Sequence, residues 1–157
     1  MIAEAEKTLI WRECQPGEIW DLVRQYFETD PDVVNKFGHP HMIGKPIDEC
    51  VNDFMEYFND WKATDRLYII ENDKKAIGIM GTKDMDECDY MNPFFLLPEF
   101  RTPENKKLFI SLIDKIHNRD YFTGIFPNNT RAKSFLEKNG FILMDSKSNH
   151  LILKKRR

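Results

Sequence analysis

DYFTGIFPNNTRAKSFLEKNGFILMD, Asp120 to Asp145, carries the strongest local structural signals in the chain. It reads as strand, turn, helix, glycine stop and strand. Tyr121, Phe122, Ile125 and Phe126 favour extended backbone. The turn Pro127-Asn128-Asn129 follows, with Asn129 or Thr130 suited to cap a helix. In that helix Ala132, Phe135 and Leu136 share one face, while Arg131, Lys133, Glu137 and Lys138 point away. Asn139-Gly140 ends it, Gly140 taking the left-handed position. Phe141, Ile142, Leu143 and Met144 then restart an extended run. Every local signal agrees, so the rest of the chain is read by asking what docks onto this unit.

Upstream, Phe94 to Leu97 is an uninterrupted apolar run, the pattern of a strand covered on both faces. Pro93 just before it belongs at a bulge or an edge. Thr102-Pro103 opens a helix to about His117, with Thr102 as cap and Pro103 in the first position. Lys106 and Lys107 fall in its first turn, where the helix dipole prefers acids, a hint of an anion site. Phe94 to Phe126 is therefore a strand–helix–strand crossover that the opening stretch continues. Before it, residues 66–71 and 75–83 form a hairpin around Asn72-Asp73-Lys74. Gly78 and Gly81 inside its second strand mark a bulge or a close approach.

The N-terminal part supplies a strand at 7–13 and helices at 16–27 and 47–61. Between them residues 28–46 read as a long loop with one helical turn at Asp32 to Lys36, and loops of this length often bind something. His39 and His41 lie in it, but a His-Pro-His alone is no metal site. The acidic turn Asp84 to Glu87 lacks calcium-loop spacing. No metal site is expected. Residues 149–155 make a last strand, paired with 141–145 around Ser146-Lys147-Ser148.

At 157 residues, 41% hydrophobic and 31% charged, the chain suits one globular domain spanning 1–157. Cys14, Cys50 and Cys88 are scattered and form no CxxC pair. No apolar run nears the ~20 residues that cross a bilayer, and the acidic N-terminus is unlike a signal peptide. A cytoplasmic protein with no membrane contact is expected. Net charge is −3, and residues 154–157 are all basic, a short tail on a body more acidic still. That balance argues against nucleic acid as a partner.

The element order β, α, α, β, β, β, α, β, α, β, β resembles that of the GCN5-related N-acetyltransferase (GNAT) superfamily. NNTRAKSFLEKNGF looks like the superfamily's late motif, matching at Asn129, Ala132, Lys138, Gly140 and Phe141. FFLLPEFR looks like the fourth strand running into the acetyl-CoA loop, matching at Pro98, Glu99 and Arg101. The resemblance implies an α/β (α+β) domain, with a mixed, mostly antiparallel sheet of six or seven strands and helices on both faces. Acetyl-CoA would enter a V between strands four (90–97) and five (121–126). The pantetheine arm would lie along Phe95, Leu96 and Leu97. The pyrophosphate would meet Arg101, Thr102, Glu104, Asn105, Lys106 and Lys107, and the late motif would add Asn129 and Ala132. Asp89, Tyr90 and Asn92 would be the polar groups near the acceptor amine.

Two departures stand out. Glu104 and Lys106 occupy the two small-residue positions of the family's phosphate loop. Leu136 stands where a proton-donating tyrosine is usual. Two readings follow. One is an acetyl-CoA-dependent acyltransferase acting on a small-molecule or protein amine. The other is a non-catalytic binding or assembly protein with a protein partner, resembling phage proteins that keep the late motif and lack the glycine loop. That second protein would work in a host cytoplasm or a virion.

Overall fold

The computed structural model describes residues 9–37, 42–147 and 150–155. Seven strands form one sheet: β1 (Ile10–Cys14), β2 (Arg66–Asn72), β3 (Lys75–Asp84), β4 (Asp89–Leu96), β5 (Tyr121–Ile125), β6 (Ile142–Lys147) and β7 (His150–Lys155). Their order is β1-β2-β3-β4-β5-β7-β6. All neighbours are antiparallel except β4 and β5, which are parallel. That parallel pair needs a crossover, and α3 (Pro103–Ile116) supplies it. The other helices are α1 (Trp20–Thr29), α2 (Ile47–Glu56) and α4 (Thr130–Lys138).

Strand alternation divides the core in two. In β2, Leu67 and Ile69 join a cluster with Val23 and Phe27 of α1 and Val51 of α2. Tyr68 and Ile70 join the opposite cluster, with Phe109 and Ile113 of α3 and Leu136 of α4. Successive side chains of a strand point to opposite faces, so helices cover both sides of the sheet. Burying each such aliphatic or aromatic side chain contributes about 1.5–3 kcal/mol. The mixed, mostly antiparallel α+β sheet of six or seven strands expected from sequence is observed, with seven strands.

Several local expectations hold in detail. Thr102 caps α3, its Oγ1 accepting from the Asn105 N–H at 3.1 Å. Asn129 caps α4, its Oδ1 accepting from the Ala132 N–H at 3.1 Å. Gly140 has φ +93°, the left-handed stop that glycine adopts without Cβ strain. Pro93 lies in a bulge: Met80 pairs with Phe94 and Thr82 with Met91, so β4 carries one residue more than β3 across this interval. The Asn92–Pro93 peptide bond is cis.

Others shift. The first helix starts as a 3₁₀ turn at Pro16–Ile19 before α1. The second ends at Glu56 rather than at residue 61. The turn within 28–46 is π-helical, Val33–Phe37, and His39 and His41 lie outside the described residues. β5, α4 and β6 are consecutive, yet β7 sits between the two strands. Strand β6 continues through Lys147, past the start of the expected turn, and Ser148 lies outside the described residues. Two of the four basic C-terminal residues belong to β7. Lys155 bonds Asp114 at 3.0 Å, and Lys154 lies 3.8 Å from Asp120.

Candidate functional site between the splayed strands

β4 and β5 pair at only two positions, Asp89 with Tyr121 and Tyr90 with Phe122. Beyond them β5 continues against β7 through Ile125, while β4 continues against β3. The two strands therefore part, as the blades of a V. At the vertex Tyr90 packs on Phe122, ring centroids 4.9 Å apart, and its hydroxyl reaches the Gly124 backbone. Burial pushes that hydroxyl's pKa up, and the Gly124 contact partly opposes the shift.

A cavity of about 600 Å³ opens between the blades, within the range of small-molecule and cofactor sites. Its apolar wall comes from both halves of the chain. Tyr26 of α1 stacks on Phe95 of β4 with centroids 4.0 Å apart and planes 1° from parallel, and Phe54 of α2 stands edge-on to the same ring at 6.3 Å. Phe126 and Phe135 line the β5–α4 side. The polar lining is one-sided. Arg101, Lys106, Lys107, Arg131 and Lys138 face the cavity, and no Asp or Glu among the described residues does. In a chain of net charge −3, this concentrates positive potential in one cleft.

Strand alternation exposes backbone along the V. The Leu97 N–H donates to the Ile77 carbonyl at 2.7 Å, so the polar groups of Leu96 face away from β3. The Leu96 carbonyl accepts from Arg101 Nε at 2.8 Å. The same guanidinium donates through Nη2 to Asp30 Oδ2 at 2.7 Å. Arg131 Nη2 reaches that oxygen at 2.8 Å, and its Nη1 lies 3.3 Å from Oδ1. Asp30 is 3% exposed. Burial works to raise its pKa, but hydrogen bonds from Arg131 and Arg101 outweigh it and hold the carboxyl below its ordinary range. Burial also pushes the Tyr26 hydroxyl up to about 12, with Asp30 adding to the shift and both arginines opposing it.

The start of α3 leaves few free amides for the pyrophosphate that the resemblance places there. Pro103 has no N–H. The Asn105 N–H is taken by its Thr102 cap, and the Lys106 N–H donates to the Thr102 carbonyl at 2.9 Å. Among the described residues, Glu104 is the one first-turn position here whose amide has no partner, and the residue is exposed.

Of the residues named from sequence, Asn92, Phe95, Leu96, Arg101, Lys106, Lys107, Asn129 and Ala132 line the cavity. The others lie elsewhere. Asp89 Oδ1 accepts from Arg119 at 3.0 and 2.6 Å. Tyr90 sits at the vertex. Leu97 is buried at 1% exposure. Thr102 is spent as a cap. Asn105 Nδ2 donates to the Phe100 carbonyl at 2.9 Å. Leu136 is 0% exposed, in the core beneath α4.

Sequence reasoning missed Tyr26, Phe54, Asp30 and Arg131. The two aromatics fit ordinary helix faces, and nothing local distinguishes them. Arg131 carries a readable signal: a cation in the first turn of α4 opposes the helix dipole, as Lys106 and Lys107 do in α3.

No family model matches the sequence, and no curated protein matches it. Solved structures do. An acetyltransferase from Thermus thermophilus superposes with TM-score 0.73 at 13% identity, over 96% of this chain and 97% of that one. The PaiA N-acetyltransferase of Thermoplasma acidophilum, solved with coenzyme A, gives 0.66 at 16% identity over 96% and 99%. The Campylobacter jejuni N-acetyltransferase PseH, solved with acetyl coenzyme A, gives 0.61 at 12% over 95% and 99%. Likeness at these identities speaks for architecture, and the parted strands, the crossover and the near-complete coverage agree: the chain has the GNAT fold.

Proposed function

We propose that this chain is an acyltransferase that moves an acetyl group from acetyl-CoA to an amine. The observation that carries the reading is the V between β4 and β5, whose apolar floor and carboxylate-free basic lining suit an acyl-pantetheine arm ending in phosphates. Acetyl-CoA supplies an acyl group already activated as a thioester. The chain's part is to hold and orient. β4 turns the polar groups of Phe94 and Leu96 away from β3, with Arg101 on the Leu96 carbonyl, and Phe95, fixed by Tyr26, forms the floor. Lys106, Lys107, Arg101 and Arg131 offer the charge that phosphates require.

Asn92 alone of the three polar candidates lines the cavity, where its amide can hydrogen-bond an incoming amine. Asp89 is engaged by Arg119, and no carboxylate or histidine among the described residues lines the site. The acceptor therefore reacts as the free amine that solvent provides. Leu136 donates no proton, so the proton that the acylated nitrogen loses passes to solvent, and the departing sulfur takes one from solvent.

The test pairs binding with turnover. Coenzyme A at ~100 times its dissociation constant should stabilise the fold by ~2.7 kcal/mol, and a panel of amines should release free thiol from acetyl-CoA. No thermal shift at millimolar coenzyme A sinks the reading.

A second reading keeps the fold and drops the chemistry. It is favoured by the consumed amides of α3 and by three consecutive exposed apolar residues, Ile142, Leu143 and Met144, on the edge strand β6. Coenzyme A binding without thiol release on any amine, together with a stoichiometric protein partner, would select it.

A further inference from the structure

The two arginines on either side of the V share one buried carboxylate. Arg101 follows β4 and Arg131 opens α4, after β5, so Asp30 ties the two blades together from the end of α1. Both guanidiniums donate to the same oxygen, Oδ2, at 2.7 and 2.8 Å. Two full positive charges thus meet one buried negative charge, while both guanidiniums keep part of their surface open to solvent. Lys106, Lys107 and Lys138 line the same cavity, and none of them makes an ion pair among the described residues. Arg131 is held in place from another side by the Phe37 ring, 4.9 Å from its guanidinium carbon. The Asn128 side chain donates to the Lys36 carbonyl at 2.7 Å. The segment from Asp30 to Phe37 is therefore strapped to the β5–α4 blade.

We propose that Arg101 and Arg131 form a phosphate seat in which Asp30 stands as the resident anion, to be displaced by a phosphate- or pyrophosphate-bearing ligand. The inference rests on reading the cleft as a coenzyme A-type site. Its reasons are local. At the start of α3 the Asn105 and Lys106 amides are committed to Thr102 and Pro103 has none, which leaves the Glu104 amide, so a phosphate depends chiefly on side chains. Two guanidinium forks suit the several oxygens of a phosphate better than the two of a carboxylate. A phosphate dianion also balances the pair, which one carboxylate leaves with a surplus positive charge. Exchange of Asp30 for phosphate releases the end of α1 and the strap that follows it, so ligand entry and the shape of the α1–α2 wall are coupled.

Calorimetric titration with inorganic pyrophosphate, at fixed ionic strength, reads the seat directly. Arg131→Gln should weaken binding about tenfold or more, the loss of charge-assisted hydrogen bonds. Asp30→Asn removes the competitor and should tighten it. A residue of merely structural importance would weaken binding in both variants, so the opposite signs carry the test. Pyrophosphate that binds wild type and Arg131→Gln equally, or fails to bind wild type, overturns the proposal, as does an Asp30→Asn chain that binds no tighter.

If Asp30→Asn does not fold, Arg131→Lys replaces it. It keeps the charge and loses the fork, and should bind more weakly than wild type; unchanged binding overturns the seat. Coenzyme A separates the two levels. Unchanged coenzyme A affinity in Arg131→Gln removes the seat and leaves the cleft reading standing. Pyrophosphate binding without any coenzyme A binding keeps the seat as an anion site and removes the cleft reading.

Discussion

Gly78 is the position where the smallest possible change should be felt most. A Cβ built there lies 2.3 Å from the Phe95 carbonyl oxygen, 2.9 Å from Leu96 Cδ2 and 3.2 Å from Leu96 Cα. Ordinary contact would need about 1 Å more from the first of these. The obstacle is β4 backbone, so no rotamer change relieves it, and β3 and β4 must separate locally. Overpacking of this kind costs ~1–3 kcal/mol, and a main-chain obstacle belongs at the upper end. The reduced freedom of the unfolded chain returns about 0.4–1 kcal/mol. Gly78→Ala should therefore destabilise by about 2 kcal/mol, a fall in Tm of about 4–8 °C for a domain of this size. Thermal melts of wild type and variant measure it. Gly17→Ala is the control: no atom lies within 4 Å of its added methyl, and its Tm should be nearly unchanged. A Gly78→Ala chain as stable as wild type would refute the close approach of β3 to the strand that floors the cleft.

Asp30 makes an acid-limb prediction. Its folded pKa is held down, so the stability that its ionised form contributes is fully present above the unfolded carboxylate value of about 3.9 and is lost as pH falls below it. Unfolding followed from pH 6 to pH 2.5 should steepen below about pH 4 in wild type and less so in Asp30→Asn; parallel curves would contradict the buried pairing. Leu136→Tyr, the exchange that the resemblance alone would suggest, should give no gain in turnover and should cost about 1–3 kcal/mol, because the position is fully buried; a faster enzyme measured by thiol release would overturn that. Cys50 is 0% exposed, and burial pushes the Cys14 thiol up to about 11, so iodoacetamide at pH 8 should label the more accessible Cys88 first, as peptide mapping would show.

The parts of the fold that are legible from sequence rest on local chemistry. Asn129, Gly140, Thr102 and Pro103 act on neighbours within a few residues, and each does in the structure what its side chain predicts. The interrupted strand at Pro93 and the tight glycines of β3 belong to the same class. What stays hidden rests on long-range meetings. Asp30 reads as one acid in a loop, yet its partners Arg101 and Arg131 lie 71 and 101 positions away. Asp89 reads as a polar strand residue near an acceptor, but Arg119, thirty positions on, engages it. Strand order is hidden for the same reason, because β7 enters between two elements consecutive in the chain.

The start of α3 is the instructive case. Thr102 and Pro103 read as a cap and a first helical residue. That same cap takes the Asn105 amide, one of those that a phosphate cradle would use, so the capping chemistry and the family resemblance compete for one stretch of chain.

On the proposed function, coenzyme A occupies the V between β4 and β5. Amide shifts of the isotope-labelled protein, followed by NMR during a coenzyme A titration, test it most directly. Saturable changes should concentrate at Phe94 to Leu96, Gly124 to Phe126 and the start of α4. No change at millimolar ligand, or changes confined to surfaces away from the two parted strands, would contradict it.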